Sequence, residues 1–105
     1  MDGNTTIKYL QHYIKEKDHK PELVKDYFLK LSEEVGELAQ AMRKNVCMEN
    51  SHNIKGTVDE EIWDVIYYAL AIANCYNIDV EEVIKEKEKI NHMKYNSEIV
   101  FEENR

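Results

Sequence analysis

Two short runs of carboxylates carry the chemistry that this chain can offer: Glu33-Glu34-Val35-Gly36-Glu37 and Glu60-Glu61-Ile62-Trp63-Asp64. Both read Glu-Glu-apolar-x-acid, and both lie in segments of helical periodicity. Like charges at this spacing repel, so neither helix gains stability from them. A divalent cation removes that penalty. Carboxylate oxygens suit magnesium, which keeps several waters and commonly shares its shell with phosphate oxygens. Manganese fits the same donors. At about 100° per residue, Glu33, Glu34 and Glu37 span an arc of about 100°, and Glu61 and Asp64 lie about 60° apart on the next helix. Antiparallel pairing of the two helices would set these faces opposite each other. Glu34, Glu37, Glu61 and Asp64 then form an inner ring of metal ligands, with Glu33 and Glu60 outside it. Glu33 suits the orientation of a water.

The first run alone has a plainer explanation. The apolar stripe of its helix (Val24, Tyr27, Phe28, Leu31, Val35, Leu38, Met42) lies roughly opposite Glu33 and Glu37, as in any helix with a solvated acidic face. The second run resists that explanation. Asp64 is followed by Val-Ile-Tyr-Tyr-Ala-Leu-Ala-Ile-Ala, and no Lys or Arg occurs from Thr57 to Ile84. An unpaired carboxylate in such surroundings is costly. It needs a cation, a proton or a base from another segment. The helix dipole accounts for acids in the first turn, which covers Asp59 and Glu60 better than Asp64.

Four helices are predicted to position these groups. The first runs from about Thr5 to Lys17, capped by Asn4 or Thr5. The second starts at Pro21, suited to a first helical turn, and ends near Lys44. A polar loop over 45–56 leads to Thr57, which caps a third helix to about Tyr76, with Glu60 completing a capping box. Asp79 and Glu82 do the same for a fourth helix ending near Lys94. Ser97 to Glu102 reads as a short strand or an extended arm. From Trp63 to Ala73 the third helix carries one charge, Asp64, so it must be covered on nearly all sides, which points to a subunit interface.

Composition sets the outer bounds. A chain of 105 residues, 43% hydrophobic with one Pro and three Gly, fits one all-α domain over 1–105. Domains of this size gain from oligomerisation. The net charge is −7, and without Asp59 and the six acids of the two runs, acids and bases balance at 14 each. That argues against a nucleic-acid-binding surface, which would be basic overall, but not against a nucleotide, because a bound metal inverts the local charge. The N-terminus is polar with no secretory signal, and the longest apolar run, Val65 to Ala73, is too short to span a bilayer. Cys47 and Cys75 have no zinc-like pairing, and free thiols suit a reducing compartment. The expectation is a cytoplasmic protein with no membrane partner.

Other candidates carry less. Lys87, Asn91 and Lys94 share a face of the fourth helix, but by spacing alone they read as surface, alongside Glu-Lys pairs such as Glu81-Lys85. Trp63, Tyr67 and Tyr68 could stack on a base, although such aromatics more often serve core or interface. Glu49-Asn50-Ser51-His52 matches the Glu-x-x-His of di-iron bundles only once, and in a loop, whereas such bundles need it on two helices.

The pattern Glu33-Glu34-x-x-Glu37, 23 residues, Glu61-x-x-Asp64 resembles the MazG-like nucleotide pyrophosphohydrolases. Leu31 to Leu38 is close to the first motif of that family, and Lys87 to Tyr95 resembles its closing lysine-asparagine-basic-Tyr pattern. The resemblance implies an all-α, four-helix fold completed by oligomerisation, as a homodimer or homotetramer. It implies magnesium-dependent hydrolysis of nucleoside triphosphates to monophosphate and pyrophosphate. The implied metal ligands are Glu34, Glu37, Glu61 and Asp64, with Glu33 or Glu37 positioning or deprotonating water. Lys87 and Asn91 would contact phosphate, joined by Lys94 where the family often has Arg. Trp63 replaces a typically small residue, which alters the pocket. The competing expectation is a non-catalytic, acidic helical oligomerisation module.

Overall fold

Four helices form where the apolar periodicity places them: α1 (Ile7–Lys17), α2 (Val24–Lys44), α3 (Val58–Cys75) and α4 (Val80–Tyr95). The computed structural model describes residues 4–96 and 98–103, and among these there is no strand. No helix of the described chain is long and apolar enough to cross a membrane. The fold is all-α, as expected.

The helix ends refine the sequence expectations. Thr6, not Asn4 or Thr5, caps α1, its hydroxyl accepting from the Tyr9 amide at 3.0 Å. Pro21 opens a 3-10 turn over Pro21–Leu23, and α2 follows from Val24. Asn45 ends α2 in the left-handed conformation (φ 54°), which Asn tolerates better than most residues. Thr57 caps α3 as expected, accepting from the Glu60 amide at 3.1 Å. Glu60, however, returns its carboxylate to the Gly56 amide at 2.8 Å, because the Thr57 amide already donates to the Ile54 carbonyl. Asp79 caps α4 by accepting from Glu81 and Glu82. Glu81 does not pair with Lys85. Its carboxylate accepts from the Lys8 amide across to α1, and Lys85 pairs with Glu82 instead. The expected strand or arm begins at Ser97, outside the described residues; the rest, through Glu102, is non-helical chain running beside Thr5–Ile7, Glu81 and Ile84.

The core joins α1, α2 and α3. Ile14, Tyr27, Leu70 and Ala71 are buried together, with Leu10, Tyr68, Ile72 and Val80 packed around them. Tyr27 is held at its polar end: its hydroxyl donates to Asp18 at 2.8 Å and accepts from the Lys20 amide. Burial and the Asp18 bond push this phenol up to about 12. Cys47 and Cys75 are free thiols, and burial pushes the Cys75 thiol up.

A polar clamp fixes α1 against the α3–α4 corner. The Gln11 amide nitrogen donates to Asn74 Oδ1 (3.1 Å) and to the Ile78 carbonyl (2.8 Å). The Asn74 amide nitrogen donates back to the Gln11 carbonyl, and Gln11 Oε1 accepts from the Val80 amide. Both side chains are buried, and each of their amide nitrogens and oxygens has a hydrogen-bond partner.

The remaining apolar surface is broad. Phe28, Val35 and Met42 of α2 and Ile62 and Ile66 of α3 are exposed, and α4 has no fully buried residue.

Candidate metal centre between α2 and α3

Helices α2 and α3 are the most extensively packed pair in the chain. The loop between them folds back tightly. The Val58 amide donates to the Val46 carbonyl at 2.8 Å, and Asp59 accepts from the Met48 amide at 2.8 Å. The helices therefore run antiparallel, so successive turns of α2 face successive turns of α3 in reverse order. Asp59 and Glu60 are occupied with loop and cap. Glu61 and Asp64 are free to face α2.

They do so across a pocket lined by Glu34, Glu37, Gln40, Lys44, Lys55, Gly56, Glu60, Glu61 and Asp64. Glu34, Glu61 and Asp64 each place a carboxylate oxygen within 4.8 Å of the others. Glu61 is only 4% exposed, and Glu34 and Asp64 are half-buried. The buried Glu34 Oε2 has no hydrogen-bond partner. Among the described residues no basic side chain forms an ion pair with these three acids. Glu37 is exposed and lines the rim.

Electrostatics reports the strain of this arrangement. Burial, then the charges of Glu37 and Asp64, pushes Glu34 up to about 7. Burial, then hydrogen bonding with Glu37 and Asp64, pushes Glu61 up to about 8. Without another cation, protons must offset the crowding. A divalent cation fits the donor set better: three carboxylates converge, Glu34 keeps a buried acceptor without a partner, and no base is paired with any of the three.

The other expected residues fall elsewhere in the single chain. Glu33 is exposed, pairs with Lys30 at 3.5 Å and does not line the pocket. Lys87, Asn91 and Lys94 do not line it either. Asn91 donates to Glu88 and borders a separate depression with His92, Tyr95 and Phe101, while the Lys94 ammonium sits 5.3 Å from the Tyr95 ring. Trp63 packs edge-on against Tyr67 at 5.9 Å, and the Lys17 ammonium lies 5.2 Å from both the Tyr13 and Tyr67 rings. Sequence reasoning missed Gln40, Lys44 and Lys55. Lys44 was within reach of it, because it follows Glu37 by seven residues and so shares its face. Lys55 sits in the loop, where no periodicity applies.

The α2–α3 hairpin thus brings acids of both Glu-Glu motifs to one pocket in an all-α fold. The family profile of the MazG nucleotide pyrophosphohydrolase domain matches residues 23–96, which take in both acidic motifs and α4. Solved structures agree. The chain is 41% identical to C-tagged iMazG from Vibrio DAT 722, with a TM-score of 0.78 over 83% of this chain and 98% of that one. The N-tagged form of the same protein aligns over 89% of this chain and 100% of that one, at 40% identity and a TM-score of 0.76. Among curated proteins none matches significantly. This chain belongs to the MazG nucleotide pyrophosphohydrolase family.

Proposed function

We propose that the chain, a single domain over 1–105, hydrolyses nucleoside or deoxynucleoside triphosphates to monophosphate and pyrophosphate, with magnesium or manganese as cofactor. The observation that carries this reading is the convergence of Glu34, Glu61 and Asp64 within 4.8 Å, none of them in an ion pair among the described residues. With Glu37, these are the residues that would hold the ion. When bound, a divalent cation there supplies charge neutralisation for phosphate oxygens and acidifies water.

The chain's own groups do the rest. Glu37, at the pocket rim, accepts a proton from the attacking water and aligns it on the α-phosphorus. The new P–O bond forms as the bond to the α–β bridging oxygen breaks, and pyrophosphate leaves with that electron pair. The low exposure of Glu61 keeps bulk water from screening the site, which strengthens every charge interaction in it.

Oligomerisation completes the reading. The exposed Phe28, Met42, Ile62 and Ile66 need cover, and a second copy supplies it, in a homodimer or homotetramer. Lys87, Asn91 and Lys94 stand outside the acidic pocket of their own chain, so their phosphate contacts fall to the site of another copy. Free cysteines and the acidic balance favour a cytoplasmic protein working on the nucleotide pool rather than on nucleic acid.

The deciding experiment is a panel of nucleoside triphosphates with MgCl2, scoring pyrophosphate against orthophosphate. Pyrophosphate in equal amount to monophosphate is expected. Orthophosphate alone, or no turnover with any member, would remove the proposal in favour of a different reaction or an acidic oligomerisation module.

A further inference from the structure

The pocket that holds Glu34, Glu61 and Asp64 is lined by bases as well: Lys44, in the last turn of α2, and Lys55, in the loop before α3, with Glu37 and Glu60 alongside them. From Glu37 to Lys44 is seven residues, roughly 10 Å along the helix axis. The antiparallel hairpin returns the loop that carries Lys55 toward the last turn of α2, so the two lysines line one pocket from different elements.

Neither lysine is explained by its neighbours. Among the described residues neither forms an ion pair, although both line a pocket rich in carboxylates. The dipole of α2 favours a base in its last turn, which accounts for the helical position of Lys44. It does not account for Lys55, which lies outside any helix. Two unpaired cations beside one deep carboxylate cluster leave a place for an anion that reaches past the cluster.

Building on the hydrolase reading, we propose that Lys44 and Lys55 hold the β- and γ-phosphates, which depart as pyrophosphate. They are positioning and binding residues for the leaving group. The geometry then fixes the direction of the substrate: the α-phosphorus lies at the carboxylates, and the phosphate tail points to the open end of the hairpin. Ammonium groups there offset charge that accumulates on the departing oxygens. Nucleoside monophosphate, which lacks the tail, does not reach them.

The test is calorimetric titration of the full chain with inorganic pyrophosphate and, separately, nucleoside monophosphate, each with MgCl2. Pyrophosphate affinity is expected to fall about tenfold in Lys44→Gln and in Lys55→Gln, and monophosphate affinity to change less than about threefold. For triphosphate the same variants raise KM more than they lower kcat. Both side chains are exposed, so the single variants keep the fold, checked by unchanged melting temperature. Unchanged pyrophosphate affinity overturns the proposal. So does equal weakening of both ligands, or failure of the wild-type chain to bind pyrophosphate. If the wild-type chain binds pyrophosphate but cleaves no triphosphate, the hydrolase reading fails, while the titration still decides what the lysines do.

Discussion

Helix α3 carries a buried polar cluster near each end, and the two are built on opposite principles. Near the C-terminal end, Asn74 and Gln11 exchange hydrogen bonds so that every amide nitrogen and oxygen of the pair has a partner, with the backbone at Gln11, Ile78 and Val80 drawn in. Near the N-terminal end, Glu61 meets Glu34 and Asp64, all three acids, with Glu34 Oε2 unpartnered. Both clusters cost desolvation. The first recovers that cost within the chain and gains a fixed corner. The second does not, and Glu34 and Glu61 are pushed up to about 7 and about 8 as a result. A polar cluster that completes itself is architecture. One that leaves an acceptor open inside a pocket has room for a positive charge from outside.

The contrast can be broken in order of effect. Asp64→Asn is expected to lower triphosphate hydrolysis by at least about a hundredfold with helicity unchanged by circular dichroism. Full activity of that variant with magnesium would erase the distinction between the clusters. Next comes Asn74→Ala, expected to destabilise the fold by about 1–3 kcal/mol in urea denaturation while activity per folded molecule stays near wild type. Loss of activity without loss of stability would make the clamp part of the site.

Metal and pH sharpen the comparison further. Saturating magnesium is expected to raise the melting temperature by about 5 °C or more over a potassium control of equal ionic strength, and to have no such effect on Glu61→Gln. Because both shifted carboxyls are raised, the metal-free fold keeps their full contribution below the ordinary value of 4.5. It loses that contribution as pH rises through about 7 and about 8. Melting temperature without metal should therefore fall from pH 5 to 8, and the magnesium increment should grow across the same window. A flat profile would contradict the crowding of the acids. The smallest effect is expected at Glu33, which faces solvent beside Lys30: Glu33→Gln should hold kcat within about threefold, whereas Glu37→Gln should not.

Much of this was legible in the sequence, and the part that was not has identifiable causes. Period and caps located all four helices because Thr57 and Asp79 bond locally, through their own following amides. The pairing of α2 with α3 followed from the repeated motifs and a loop over 45–56 that lets the helices run antiparallel. The clamp was invisible: Gln11 and Asn74 are 63 positions apart, and each alone is an ordinary polar residue on an apolar helix. Glu33 and Glu34 are adjacent in sequence, yet one helical step of about 100° separates pairing with Lys30 from the interior of the pocket. Lys55 depends on the path of a loop, which no periodic pattern encodes. The α4 face showed its residue types but not that it stands outside the acidic pocket of its own chain.

Thr57 is fully buried, bonded through its hydroxyl to the Ile54 carbonyl at 2.6 Å and to the Glu60 amide at 3.1 Å. That small side chain indexes the rotation of α3 about its own axis. A slip of one residue would turn the helix by about 100° and present Ile62 where Glu61 now stands. The aim of the deepest carboxylate is thus set four residues upstream, by a hydroxyl that never touches the substrate, so a methyl in its place would act as a misalignment before it acted as a loss of stability.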